Sequence, residues 1–163
     1  MIQTALNKWN DAIQMITETQ KIQVVKRDEN AFIPSKAHSD DIGYDLTIIS
    51  HAGALTERVA LYDTGIVVKP PRGFYIEILP RSSFGKSGYM LANSVGVIDP
   101  QYRGTLKVAI ARVDDNAPPL KLPLKGFQIV LRRAESSVIE QVEPSQEFLN
   151  TVRGEGGFGS TGN

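Results

Sequence analysis

The sequence predicts an all-β body, a sandwich or barrel, behind a single N-terminal helix. Three observations lead there: from Ile22 onward the apolar runs are short and β-branched, turn residues recur between them at fairly even spacing, and no segment of helical period separates them. Strands without intervening helices argue against a parallel α/β sheet. The helix is read over residues 3–20. There Ala5, Trp9, Ala12, Ile13 and Ile16 recur at three- and four-residue spacing, uninterrupted by proline or glycine. The strand candidates are 22–26, 44–49, 59–62, 66–69, 74–79, 106–113, 127–132 and 138–142. Phe74, Ile76 and Ile78 alternate with Tyr75 and Glu77, and Leu106, Val108 and Ile110 with Lys107 and Ala109, the period of a half-buried strand. Asp63-Thr64-Gly65, Pro70-Pro71-Arg72-Gly73, Asp114-Asp115-Asn116 and Pro118-Pro119 punctuate these runs as turns. Val95, Val97 and Ile98 read as a buried hairpin or strand that Asp99-Pro100 ends. Residues 151–163 hold five of the chain's 14 glycines, with only Val152 and Phe158 as apolar anchors, too little to fold alone. The expected organisation is a helical extension (1–21), a β body (22–150) and a Gly-rich arm (151–163).

Composition narrows the function. The 163 residues fit one domain with an ordinary core. Lys+Arg and Asp+Glu both number 18, so there is no basic surplus to displace counterions, and no nucleic-acid partner is expected. The absence of cysteine excludes thiol catalysis, disulfides and thiolate metal sites. His38 and His51 lack metal-ligand spacing to a second His or Glu. No apolar stretch approaches the ~20 residues of a membrane-spanning helix, and the N-terminus lacks a signal-peptide pattern. The expectation is an intracellular, cytoplasmic chain with no membrane partner.

Four clusters carry possible chemistry. In the tail, glycines 154, 156, 157, 159 and 162 let backbone N–H groups approach an anion. Arg153 can fork onto phosphate, Ser160 and Thr161 add hydroxyls, and Phe158 is free to stack on a base. A plain flexible terminus is the competing reading. Arg81, Ser82, Ser83 and Gly85 stand at the end of a clear strand and could hold phosphate oxygens; a solvated turn is the alternative. Around 93–104, Asp99 can serve as a general base, Tyr102 can pack on a sugar and Asn93 suits a base edge. An Asp that merely starts a turn is the bland reading. Asp40, Asp41 and Asp45 could attract a hard cation such as Mg²⁺, or form a charged turn with Asp45 facing solvent.

Taken in order, these clusters resemble the signatures of the trimeric dUTPases. Asp41-Ile42-Gly43-Tyr44-Asp45-Leu46 resembles the first, Pro80-Arg81-Ser82-Ser83 the second, Gly96-Val97-Ile98-Asp99 through Tyr102-Arg103-Gly104 the third, and Arg153-Gly154 through Gly159-Ser160-Thr161-Gly162 the fifth. The fourth departs: the family's Gly-acidic-basic-Ile-Ala-Gln-Leu run meets Pro123-Leu124-Lys125-Gly126-Phe127-Gln128-Ile129-Val130. Gln128 takes the glutamine's place if the strand is matched, and Leu131 if the glycines are. The strand match is preferred. Gln101 stands where an acidic residue is common, and Ser83 where glycine is.

The resemblance implies a distorted jelly roll of the β-clip kind and a homotrimer whose sites are shared between subunits, the tail of one closing over a pocket between two others. It implies hydrolysis of dUTP to dUMP and pyrophosphate, which lowers dUTP and supplies dUMP for thymidylate synthesis. Asp99 would be the base, with Gln128 also in the catalytic set, and Asp45 would hold the water shell of Mg²⁺. Arg81, Ser82, Ser83, Arg153, Gly159, Ser160 and Thr161 would grip phosphates. Asn93, Val97, Tyr102 and Phe158 would hold the nucleoside, and Lys107 would also bind the substrate. A dCTP deaminase shares fold and part of the third signature, but Ala109 stands where its catalytic Glu is expected. The remaining alternative is a nucleotide-binding module that recruits a partner through the Trp9, Ile13 and Ile16 stripe.

Overall fold

The structure is a computed structural model and describes residues 19–154. The helix expected over 3–20 and the extension 1–21 that contains it lie, but for the last few residues, outside the described residues. The described chain forms ten strands: β1 (Gln23–Lys26), β2 (Tyr44–Ile48), β3 (Ser50–Ala54), β4 (Val59–Asp63), β5 (Ile66–Lys69), β6 (Phe74–Pro80), β7 (Tyr89–Leu91), β8 (Gly96–Ile98), β9 (Lys107–Arg112) and β10 (Leu124–Arg133). A 3-10 helix (Ser82–Lys86) follows β6, and a single α-helical turn, α1 (Gln146–Leu149), is capped by the Ser145 hydroxyl.

Every pairing is antiparallel. One sheet runs β2-β10-β6-β8, a second β3-β4-β9-β7, and β1 pairs with β5 alone. The period-2 patterns turn one face of each sheet inward. Leu46 and Ile48 of β2, Ile76 and Ile78 of β6, Val108 and Ile110 of β9, and Phe127 and Ile129 of β10 are buried together with Ile66, Val68 and Leu106. This is the all-β fold expected.

The turn at Asp63-Thr64-Gly65 shows how short polar residues lock such a body. The buried Thr64 hydroxyl donates to the Leu106 carbonyl at 2.9 Å, and the Gly65 N–H donates to Asp63 Oδ1 at 2.8 Å. Gly65 has φ +67 and lies against Asp28, Ile49 and Ala31, so a side chain there would meet both backbone strain and a clash.

Four expectations are corrected. Residues 138–142 form no strand: Val138 and Ile139 are 92% and 103% exposed, since β-branched residues supply propensity but this segment has no partner strand. β3 was missed because Ser50-His51-Ala52-Gly53-Ala54 is poor in strand formers, and its pairing with β4 slips between His51 and Gly53. β7 was missed as well, being three residues long. The strand expected at 95–98 exists as β8, but it is not a buried hairpin. Val97 is 60% exposed, opposite Glu77 on the outer face, and only Ile98 packs on the core.

Candidate functional site

Strand register gathers one group of the candidates. Gln128 on β10 stands opposite Asp45 on β2 and, on its other side, opposite Leu79 on β6. Arg81 follows β6 directly, and its backbone N–H donates to the Gly126 carbonyl at 2.9 Å, tying the start of the 3-10 helix to β10. Asp45, Arg81, Ser82 and Gln128 thus line a polar cavity of about 250 Å³ together with Ala37, Asp41, Ile42 and Gly43. Three signatures separated in sequence meet here.

The cavity is held by ion pairs and one close approach. Asp45 is not solvent-facing: its carboxylate is 15% exposed, with Oδ1 at 3.0 Å from Arg81 Nε and Oδ2 at 3.2 Å from Lys125 Nζ. Arg81 Nη1 also donates to the Lys125 carbonyl at 3.3 Å, and Gln128 Nε2 to the Pro80 carbonyl at 3.3 Å. The Gln128 side chain lies directly on Gly43, where a Cβ would overlap its Oε1. Only glycine leaves that space. The rival fourth-signature residue, Leu131, faces Ile76 and packs against the core, so it has no access to the cavity.

The other candidates lie elsewhere. Ser83 is exposed in the 3-10 helix and is not among the lining residues. Asn93 sits in the turn before β8, where the Val95 N–H donates to its carbonyl at 2.6 Å. Val97 lies on β8, and Asp99 follows it in an exposed turn closed by the Tyr102 N–H on the Asp99 carbonyl at 3.0 Å. The Tyr102 hydroxyl donates to the Thr105 carbonyl at 3.0 Å, which lays the ring against Gly104. Lys107 is exposed at the start of β9, opposite Asp63. Arg153 is exposed near the end of the described chain. Phe158, Gly159, Ser160 and Thr161 lie outside the described residues.

Asp99 does not meet the Arg81 cavity within one chain, although Ser94, next to Asn93, lines a second cavity with Arg81 and Ser82. β2 and β8 are opposite edges of the same sheet. Ile98 pairs with Ile76, so Asp99 lies near the start of β6 while Arg81 lies past its end. At roughly 3.3 Å per residue and about 4.8 Å per strand, the carboxylate of Asp99 is on the order of 20 Å from the Arg81 cavity.

Sequence reasoning passed over Gly43 and Lys125. Four residues of β10, Leu124 to Phe127, span three of β2, Ile48 to Leu46. This bulge lets both Leu124 and Phe127 pack inward and turns Lys125 to the Asp45 side, which strict alternation hides.

As a metal site the chain offers little by itself. Among the described residues no group of three or more His, Cys, Asp or Glu side chains could hold a metal ion. Asp45 has lone pairs left beyond its two cation contacts, so it can accept hydrogen bonds from a metal's water shell. That donor set fits Mg²⁺ carried mainly by phosphates and waters, and not a dedicated protein cage. Also among the described residues, no helix is long and apolar enough to cross a membrane.

The chain is 34% identical over 140 residues to a deoxyuridine 5′-triphosphate nucleotidohydrolase of Solanum lycopersicum, covering 86% of this chain and 80% of that protein. Its fold is similar to the dUTPase of Staphylococcus bacteriophage 80alpha with dUPNHPP, at 25% identity and a TM-score of 0.70, covering 89% of this chain and 100% of the other. It is also similar to a mutant dUTPase of phage phi11 of S. aureus described with a coordinated structural Mg(II) ion, at 22% identity and a TM-score of 0.64, covering 77% and 99%. The dUTPase family profile matches residues 29–162, so the chain belongs to the dUTPase family.

Proposed function

We propose that this chain hydrolyses dUTP to dUMP and pyrophosphate in sites shared between the subunits of a homotrimer. The single observation that carries the shared site is the sheet order β2-β10-β6-β8. It gives each chain half of the machinery at either edge, and a rotation axis that sets one chain's β2 edge near a neighbour's β8 end supplies both halves. Family membership and the relatives' activity support the reaction.

In this reading the β2 edge is the phosphate end. Arg81 and Ser82 grip the phosphates from the cavity wall, Ser83 assists from the same turn, and Gln128 completes it. The β8 edge is the nucleoside and base end. Asn93 and the Val97 backbone read the uracil edge, Tyr102 packs on deoxyribose and leaves no room for a 2′-hydroxyl, and Lys107 borders the same pocket. Asp99 takes a proton from water. The water oxygen bonds to the α-phosphorus in line, the bond from that phosphorus to the pyrophosphate oxygen breaks, and its electron pair leaves with pyrophosphate. Asp45 would hold the water shell of Mg²⁺, whose charge would offset the charge that builds on the leaving group. Residues 151–163 form the arm that closes over the nucleotide, with Phe158 on the base and Arg153, Gly159, Ser160 and Thr161 on the outer phosphates, excluding water. Residues 22–150 form the body and 1–21 an extension to it.

The test is pyrophosphate release from dUTP with Mg²⁺, against dTTP, dCTP and UTP. Rapid release from dUTP alone is expected. Asp99→Asn should keep nucleotide binding near wild type and lower turnover by at least ~100-fold, the scale of a lost general base. Full turnover in that variant removes Asp99 from its role. Tight dUTP binding without consumption makes the chain a binding module, and ammonia release from dCTP makes it a deaminase.

A further inference from the structure

We propose that Lys125 is a positioning residue of the phosphate cavity, acting through Asp45 on Arg81. This rests on the phosphate-binding reading of that cavity. Lys125 Nζ holds Asp45 Oδ2 at 3.2 Å while Arg81 Nε holds Oδ1 at 3.0 Å, so the carboxylate is clamped between two cations. With Asp45 only 15% exposed, rotation of either oxygen away from its partner is resisted by the cost of leaving a largely desolvated charge unpaired. The clamp fixes Arg81 at Nε, and the Lys125 carbonyl takes a second contact from Nη1 at 3.3 Å. One residue thus steadies the guanidinium through both its side chain and its backbone. Arg81 retains donors on Nη1 and Nη2 for an anion.

The bulge in β10 is what makes this arrangement possible. Gln128 lies on the outer face opposite Asp45, and regular alternation would send Lys125, three residues earlier, to the opposite face. The extra residue between Leu124 and Phe127 returns it to the side of Asp45. Lys125 is itself 57% exposed, so its removal leaves the core intact.

Two variants and one background test the role. Lys125→Met keeps the stem and removes the charge. It is expected to lower kcat/KM for dUTP about 10-fold or more, the scale of a lost charge-assisted hydrogen bond, and to weaken calorimetric binding of inorganic pyrophosphate by a similar factor. Thermal unfolding should stay near wild type. Lys125→Arg should restore most of both losses. In an Asp45→Asn background, Lys125→Met should add no further loss, because the residue acts through Asp45. Wild-type kinetics and pyrophosphate binding in Lys125→Met, or a full additional loss in the Asp45→Asn background, overturns the proposal. If the wild-type protein binds pyrophosphate but leaves dUTP intact, the reaction reading fails while the binding arm still decides the role of Lys125. If it does neither, both fall.

Discussion

Gly43 and Glu77 show how much one position decides. The Gln128 side chain occupies the space of the missing Gly43 Cβ, so Gly43→Ala must push Gln128 off its place opposite Asp45. A displacement of about 1 Å can cost on the order of 100-fold in rate, so kcat/KM for dUTP should fall at least ~10-fold with little change in melting temperature. Steady-state kinetics beside thermal unfolding checks both halves of that statement. Glu77 stands on the outer face of β6, and its carboxylate accepts from Arg132 Nε and from the Tyr75 hydroxyl, each at 2.8 Å. Arg132 first, then Tyr75, holds its carboxyl below the ordinary 4.5. A lowered native value means that Glu77 stabilises the fold above the ordinary carboxylate range and loses that effect as the pH falls through the native value. Wild type should therefore melt above Glu77→Gln at neutral pH, and the gap should narrow as the pH falls below the ordinary carboxylate range. A gap that is constant with pH contradicts this.

Strands and turns carry the next level of the account. The run at 74–79 was legible because a period of 2 expresses burial on one face, and the run at 66–69 because consecutive β-branched residues mark a strand buried on both faces. β10 was half legible. Residues 127–132 read as a strand, but its first residues, Leu124, Lys125 and Gly126, belong to a bulge that no alternation pattern reveals. The error at 138–142 has the opposite origin: Val138, Ile139 and Val142 have the propensity of a strand, yet pairing needs a partner edge that local sequence does not contain. The candidate site divides in the same way. Arg81, Ser82 and Asp99 were recognisable as motifs, whereas the pairing of Asp45 with Arg81 and Lys125 depends on three strands coming into register. The arm offers a prediction at this scale. Removing residues from Arg153 onward should cripple turnover while sedimentation still reports the same assembly as the full chain. Loss of assembly would mean that the segment is structural and not a cover for the site.

At the scale of the whole molecule, the sheet that joins the two half-sites also separates them. Asp45, Arg81, Ser82 and Gln128 gather at one edge, and Asp99 lies past the far end of the other. In the proposed reading, a chain in isolation would have a base without phosphate grips and phosphate grips without a base. The most direct measurement is complementation between two inactive variants, Asp99→Asn and Arg81→Ala, refolded together from denaturant. If each site takes Asp99 from one subunit and Arg81 from another, random mixing restores both groups in roughly a quarter of the sites, and dUTP turnover should recover to about that fraction of wild type. Mixed assemblies that remain as inactive as either parent contradict the shared site.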